Sequence, residues 1–304
     1  VALVVAAVCP HPPLLVPRVG AGEPVAARAS ALAAVRRLRA AKPDLLVVVG
    51  DDPDARAAGF HVYPSASVGD FRGFGVDYQV PLGPGPTAGM SDLGGLPDAV
   101  GEGGATDAPR LPLSLAVGAW LLAETGWDVA RWGLGVSPKA EAAQAVARGA
   151  ELVVGPDRVA LLVMGDGSAR RTPKAPGALD ERAEPYDAVV ERALATVDLD
   201  ALLALDQGLS ADLLVAGRAS WQVLAGAVGG RAAGRGTDEP SPAPTDEDEQ
   251  AGPPRVEPPT VAKCRTPSPA RPIGTPTWGA DVLYADAPFG VGYFVCVWEP
   301  GAVG

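Results

Sequence analysis

"ALVVAAVCPHPPLLVP", Ala2 to Pro17, decides how the chain is read. Its first half is a continuous apolar run with no polar alternation, the pattern of a strand buried on both faces, as in a parallel sheet. Its second half places Pro10, Pro12 and Pro13 around His11. Proline fixes φ and has no amide donor, so neither a helix nor a central strand continues through that stretch. The strand therefore ends in a rigid turn that holds an imidazole at its tip.

Outward from this strand, elements alternate. "EPVAARASALAAVRRLRAAKPD" is Ala-rich and amphipathic and predicts a helix ending at Pro43. "LLVVVG", Leu45 to Gly50, is a second buried strand, and the pair make a right-handed crossover unit. Asp51 to Arg110 is rich in Gly, Pro and Asp and reads as a long irregular excursion. Helices follow in "LPLSLAVGAWLLAETGW" and "KAEAAQAVARGAEL", then a strand running into a polar turn from Arg158 to Ser168. "DERAEPYDAVVERALATVDLDALLAL" reads as helical with a break at Pro185, and "SADLLVAGRASWQVLAGAV" as one further helix. "ADVLYADAPFGVGYFVCVWEP" predicts two strands around a turn at Pro288 to Gly290. The expected class is α/β, a three-layer α/β/α sandwich around a largely parallel or mixed sheet, as a single domain over 1–304. Between about Gly229 and Thr277 the chain is Pro-, Gly- and charge-rich with almost no large apolar residues. Such a composition does not offset its ordering entropy, and a disordered insertion is expected there.

Composition excludes several classes. The net charge over 304 residues is −11, so a phosphate-binding surface and a nucleic-acid partner are not expected. No apolar stretch is long enough for a membrane span. "VALVVAAVC" has no basic segment before it and no small-residue cleavage site after it, so it reads as a strand and not as a leader. Cys9, Cys264 and Cys296 are odd in number and widely spaced, offering neither a disulfide framework nor a zinc pattern. A cytoplasmic location is expected, and the oligomeric state stays open.

In an open α/β sheet, ligands bind beyond the carboxyl ends of the strands. The first strand delivers His11, the second "GDDPD" with Asp51, Asp52 and Asp54, the third "GDGSARR" with Asp166, Ser168 and Arg170. "VAGRASWQ" adds Arg218. His11, Asp51, Asp52, Asp166, Ser168 and Arg218 are expected to surround one pocket. Each also has a structural reading. His11 is then a buried imidazole bonded to backbone, Asp51 and Asp52 are caps, and Asp166 and Ser168 hold the turn. Arg218 then pairs with one of these acids. "GDGSARR" is not a nucleophile elbow, because no spare His–Asp pair accompanies Ser168.

"CPHPPLLVP", "DLLVVVGDD", "GDGSARRTPKAPG" and "AGRASWQVLAGA", in that order, resemble the class III extradiol ring-cleavage dioxygenase superfamily. It includes the catalytic subunit of protocatechuate 4,5-dioxygenase and the related mediator-of-cell-motility proteins. The resemblance implies a non-heme Fe(II) held by two histidines and a carboxylate, with a further histidine as acid–base catalyst. The first ligand matches His11. The second falls on Pro53, the catalytic histidine on Ala169, and the third ligand on Ala216. His11 and His61 are the only histidines, one fewer than two ligands and a catalyst require. The expectation is an extradiol-dioxygenase-like protein that has lost ring cleavage, has no catalytic residue and no cofactor, and binds a small molecule or protein through the remnant pocket. The alternative is an Fe(II)-dependent oxidoreductase opening a catechol-type ring, with His11, His61 and Asp52 as an unusual ligand set.

Overall fold

A computed structural model describes residues 2–22, 25–55, 59–83, 108–155, 157–233 and 277–301. Its centre is a mixed sheet of seven strands. Four run parallel in the order β6 (Ala130–Val136), β2 (Leu45–Asp51), β7 (Arg158–Met164) and β1 (Ala2–Cys9). On one side β3 (Phe60–Tyr63) adds antiparallel to β6. On the other, the antiparallel hairpin of β8 (Trp278–Asp286) and β9 (Tyr293–Pro300) joins through β9 to β1. A separate ribbon pairs β4 (Val68–Asp70) with β5 (Gln79–Pro81).

The apolar strands have no solvent side because helices cover both faces. Leu45, Val47 and Val49 of β2 point into one core with α4 (Ala183–Thr196) and α7 (Arg218–Ala233), while Leu46 and Val48 point into the other with α1 (Ala26–Ala40) and α2 (Leu113–Glu124). This period of two with both faces buried is the three-layer arrangement. Helix α2 is buried all round from Ser114 to Leu122, because the β4–β5 ribbon lies on its outer side. A Cβ at Gly69 would lie 2.8 Å from Ala116 Cβ, and one at Gly118 2.8 Å from Val48 Cγ1, so both contacts of α2 depend on missing side chains. Glu141 and Gln144 form a capping box at the start of α3 (Ala142–Glu151). Asp198 and Asp206 cap α5 (Leu199–Leu203) and α6 (Gln207–Asp212), accepting bonds from the amides of Ala201 and Leu209.

Four expectations need correction. The 51–110 excursion contains β3, β4 and β5; these strands are only three or four residues long, too short to show an alternating pattern. Strand β6, "ARWGLGV", carries two glycines and an arginine and so does not read as an apolar run. Pro185 sits in the first turn of α4, where its missing amide costs nothing, and the helix instead stops at Val197, which adopts a left-handed φ of 54°. The single helix expected over Ser210–Val228 is two, because Leu213 to Gly217 leave the helix and Ala216 pairs with Asp166. Of the expected insertion, 229–233 belong to α7 and 234–276 lie outside the described residues.

Candidate functional site

Because β6, β2, β7 and β1 are parallel, their carboxyl ends reach one edge of the sheet. Cys9 is level with Met164, and Val49 with Val163, so His11, Asp166 and Asp51 emerge from three adjacent strands at nearly one height. Strand spacing of about 4.8 Å keeps them neighbours. The proline-framed turn is a 3-10 turn over Pro13–Leu15, held from outside by Arg28, whose guanidinium donates to the carbonyls of Leu14 and Leu15 at 2.8 and 2.7 Å. The end of β2 is fixed by the Ser114 hydroxyl, which donates to the Asp51 carbonyl at 2.6 Å.

His11 donates its backbone N–H to Asp166 Oδ1 at 2.8 Å, and its Nδ1 stands 3.6 Å from the same oxygen, beyond hydrogen-bond reach. His11 is 7% exposed, and among the described residues its Nδ1 has no hydrogen-bond partner. The structural reading of a backbone-bonded imidazole therefore fails at Nδ1. Asp51 and Asp166 keep part of their surface open. Burial pushes the Asp51 carboxyl up to about 6, against the charges of His11 and Arg218, and Asp52 and Asp166 raise it further. Burial likewise raises Asp166, with His11 opposing.

The other expected members divide. Asp52 is buried on a different flank, accepting from Tyr63 Oη at 2.9 Å and from the Asp54 amide at 3.0 Å, with His61 Nδ1 at 3.8 Å. Arg218 is buried and donates to Gln222 Oε1 and to the carbonyls of Pro138 and Ala140, so it braces the loop after β6 and makes no ion pair among the described residues. Its charge still reaches Asp51. Ser168 turns inward: its hydroxyl donates to the Leu213 carbonyl at 3.1 Å and accepts from the Arg170 amide. Arg170 donates to the Asp212 carbonyl. Among the described residues no three His, Cys, Asp or Glu side chains are grouped to hold a metal ion.

Sequence reasoning missed Tyr293. It opens β9, which is antiparallel and so begins at the edge where the parallel strands end, and the Asp166 charge adds to burial in raising its phenol. The signal was an aromatic residue directly after the hairpin turn. No family model matches the chain, and no curated protein matches it. No helix among the described residues is long and apolar enough to cross a membrane.

The Asp51 shift has a measurable consequence. A carboxyl raised from 3.8 to about 6 on folding makes the folded state bind its proton more tightly than the unfolded state does. Its contribution to stability is therefore fully present below pH 4 and is lost as pH rises through 6. Asp51→Asn is expected to match the parent near pH 4 and to exceed it by about 1–3 kcal/mol at pH 8. Urea unfolding at the two pH values checks this; a variant less stable than the parent at pH 8 contradicts it.

Proposed function

We propose that this chain is an extradiol-dioxygenase-like protein that has lost ring cleavage and binds a small molecule at the strand-end site. One observation carries the reading: of the four positions that the resemblance assigns to iron and acid–base chemistry, only His11 has a donor side chain, the others being Pro53, Ala169 and Ala216. We read the donor set as unfit for Fe(II). A single imidazole gives no chelate, the carboxylate oxygen nearest to it already accepts the His11 amide, and His61 stands with Asp52 instead. Ala216 lends only its backbone, pairing with Asp166.

What the site retains suits binding. His11 brings to the edge a nitrogen that has no hydrogen-bond partner among the described residues and stands 3.6 Å from Asp166 Oδ1, with the Asp51 and Asp166 carboxyls partly open to solvent. Rigid strand ends hold all three, so a ligand pays little to order them. Oxygen uptake with catechol-type substrates and added Fe(II) tests the reading, since ring opening consumes dioxygen and simple binding does not.

A further inference from the structure

Arg131 is a buried cation at the opposite edge of the sheet, where β6 begins, and it takes no part in the strand-end site. Its guanidinium lies against Gly83, where a Cβ would stand inside van der Waals contact of Nη2, Nε and Cζ. Nη2 donates to the Trp127 carbonyl at 3.2 Å. Nε and Nη1 are closed off from solvent and have no hydrogen-bond partner among the described residues. Asp128 is the acid whose charge acts on Arg131, and it makes no hydrogen bond to it. Burial lowers the pKa of the guanidinium and the Asp128 charge opposes this, yet an arginine stays ionised at neutral pH.

Trp127 supplies a second observation. Its indole Nε1 is buried and also has no acceptor among the described residues. Arg131 and Trp127 thus bring donors into the interior with nothing to receive them, and Arg131 carries a full charge as well. A buried charge left unpaired is among the costliest arrangements a fold can hold. An enclosed water molecule would accept from the donors and leave the charge uncompensated. An anion meets both needs.

We infer that Arg131 holds a small inorganic anion of the halide class, which accepts from Nε and Nη1 and is buried with them. The enclosure sets the size. Neither nitrogen has surface facing solvent, so a nucleotide, a sugar phosphate or an acidic peptide does not reach them.

The test is thermal unfolding of the whole chain in mixtures of sodium chloride and sodium gluconate at one ionic strength. An anion that binds only the folded state stabilises it, so raising chloride from about 10 to about 300 mM should raise the parent's Tm by about 3 °C or more. Arg131→Met keeps the apolar stem and removes the charge, and its Tm should not respond to the exchange. In gluconate alone the variant should match or exceed the parent, because an apolar side chain in place of an unpaired buried charge is neutral or stabilising. If Arg131→Met fails to fold, bromide decides: crystals of the parent grown in bromide should show an anomalous peak against Nε and Nη1. No chloride response in the parent, an equal response in Arg131→Met, or no bromide peak there would each overturn the inference. A folded variant much less stable than the parent at every chloride level would mean that a carboxylate of the chain itself pairs with Arg131, and would overturn it too.

Discussion

Gly226→Ala is expected to destabilise the protein by about 3 kcal/mol, near the upper end of what overpacking costs. Helices α3 and α7 approach backbone to backbone. A Cβ at Gly226 would lie 2.6 Å from Val146 Cα and inside van der Waals contact with the Val146 carbonyl oxygen. One at Gly149 would meet the Val223 carbonyl from the other side and stand 2.8 Å from the Ala227 nitrogen. A flexible side chain can move aside, but a helix backbone moves only by shifting the helix. The intrinsic preference of a helix for Ala over Gly, about 1 kcal/mol, acts in the opposite direction and is too small to compensate. Gly229→Ala is the control on the same helix, because its Cβ would reach Leu199 Cδ1 at an ordinary 3.4 Å. It should be neutral or slightly stabilising. Urea unfolding of the two variants separates packing from propensity; equal effects would contradict the account.

Arg171→Leu is expected to cost about 3–4 kcal/mol at pH 8 and clearly less at pH 5. Asp187 is almost fully buried between the loop after β7 and the start of β9. Its Oδ1 accepts the Ser168 amide at 2.8 Å and its Oδ2 the Arg171 guanidinium at 3.0 Å. Cβ atoms at Gly167 or Gly292 would lie 2.7 Å from Oδ1 and 2.8 Å from Cγ respectively, so both residues are glycine to admit this carboxylate. Burial raises the Asp187 carboxyl, opposed by the Ser168 amide and by Arg171. Without Arg171 an uncompensated charge is buried, which typically costs 3–5 kcal/mol. Arg171 is itself partly exposed, which puts the expected loss at the lower end of that range. In the variant the carboxyl rises further, so at low pH it protonates in the folded state and the penalty shrinks. Adding Asp187→Asn to Arg171→Leu should restore part of the loss at pH 8. A penalty independent of pH would mean that Arg171 acts through packing alone.

Strands β1, β2 and β7 were legible because each is a run of apolar residues with no polar interruption, and the parallel layout followed from the helices between them. Strand β6 was hidden by Gly133, Gly135 and Arg131. Those glycines are packing requirements that show only in three dimensions: a Cβ at Gly135 would lie 2.8 Å from Asp52 Cβ, and one at Gly133 3.0 Å from Leu115 Cδ1. Missing β6 concealed the loop that Arg218 braces, and so Arg218 read as a partner for an acid. The placement of His11, Asp51 and Asp166 beyond the ends of three adjacent strands was readable from the sequence. Ser168 was not, because a hydroxyl in a polar turn gives no sign of whether it faces the edge or bonds the Leu213 carbonyl beneath. Asp187 gave no signal either, since an acidic residue inside an amphipathic helix ordinarily faces water.

We propose that ring cleavage has been lost while a binding site persists at the strand ends. The most direct test is oxygen uptake by the purified chain with protocatechuate, gallate and catechol, prepared without oxygen and supplied with Fe(II). Proton movement in ring opening needs a positioned acid–base group, worth roughly 10²–10⁴ in rate, and a metal with open positions. Pro53, Ala169 and Ala216 supply neither. Uptake no faster than with Fe(II) and substrate alone, unchanged in His11→Ala, is the expected result. Uptake well above that background that disappears in His11→Ala would contradict it.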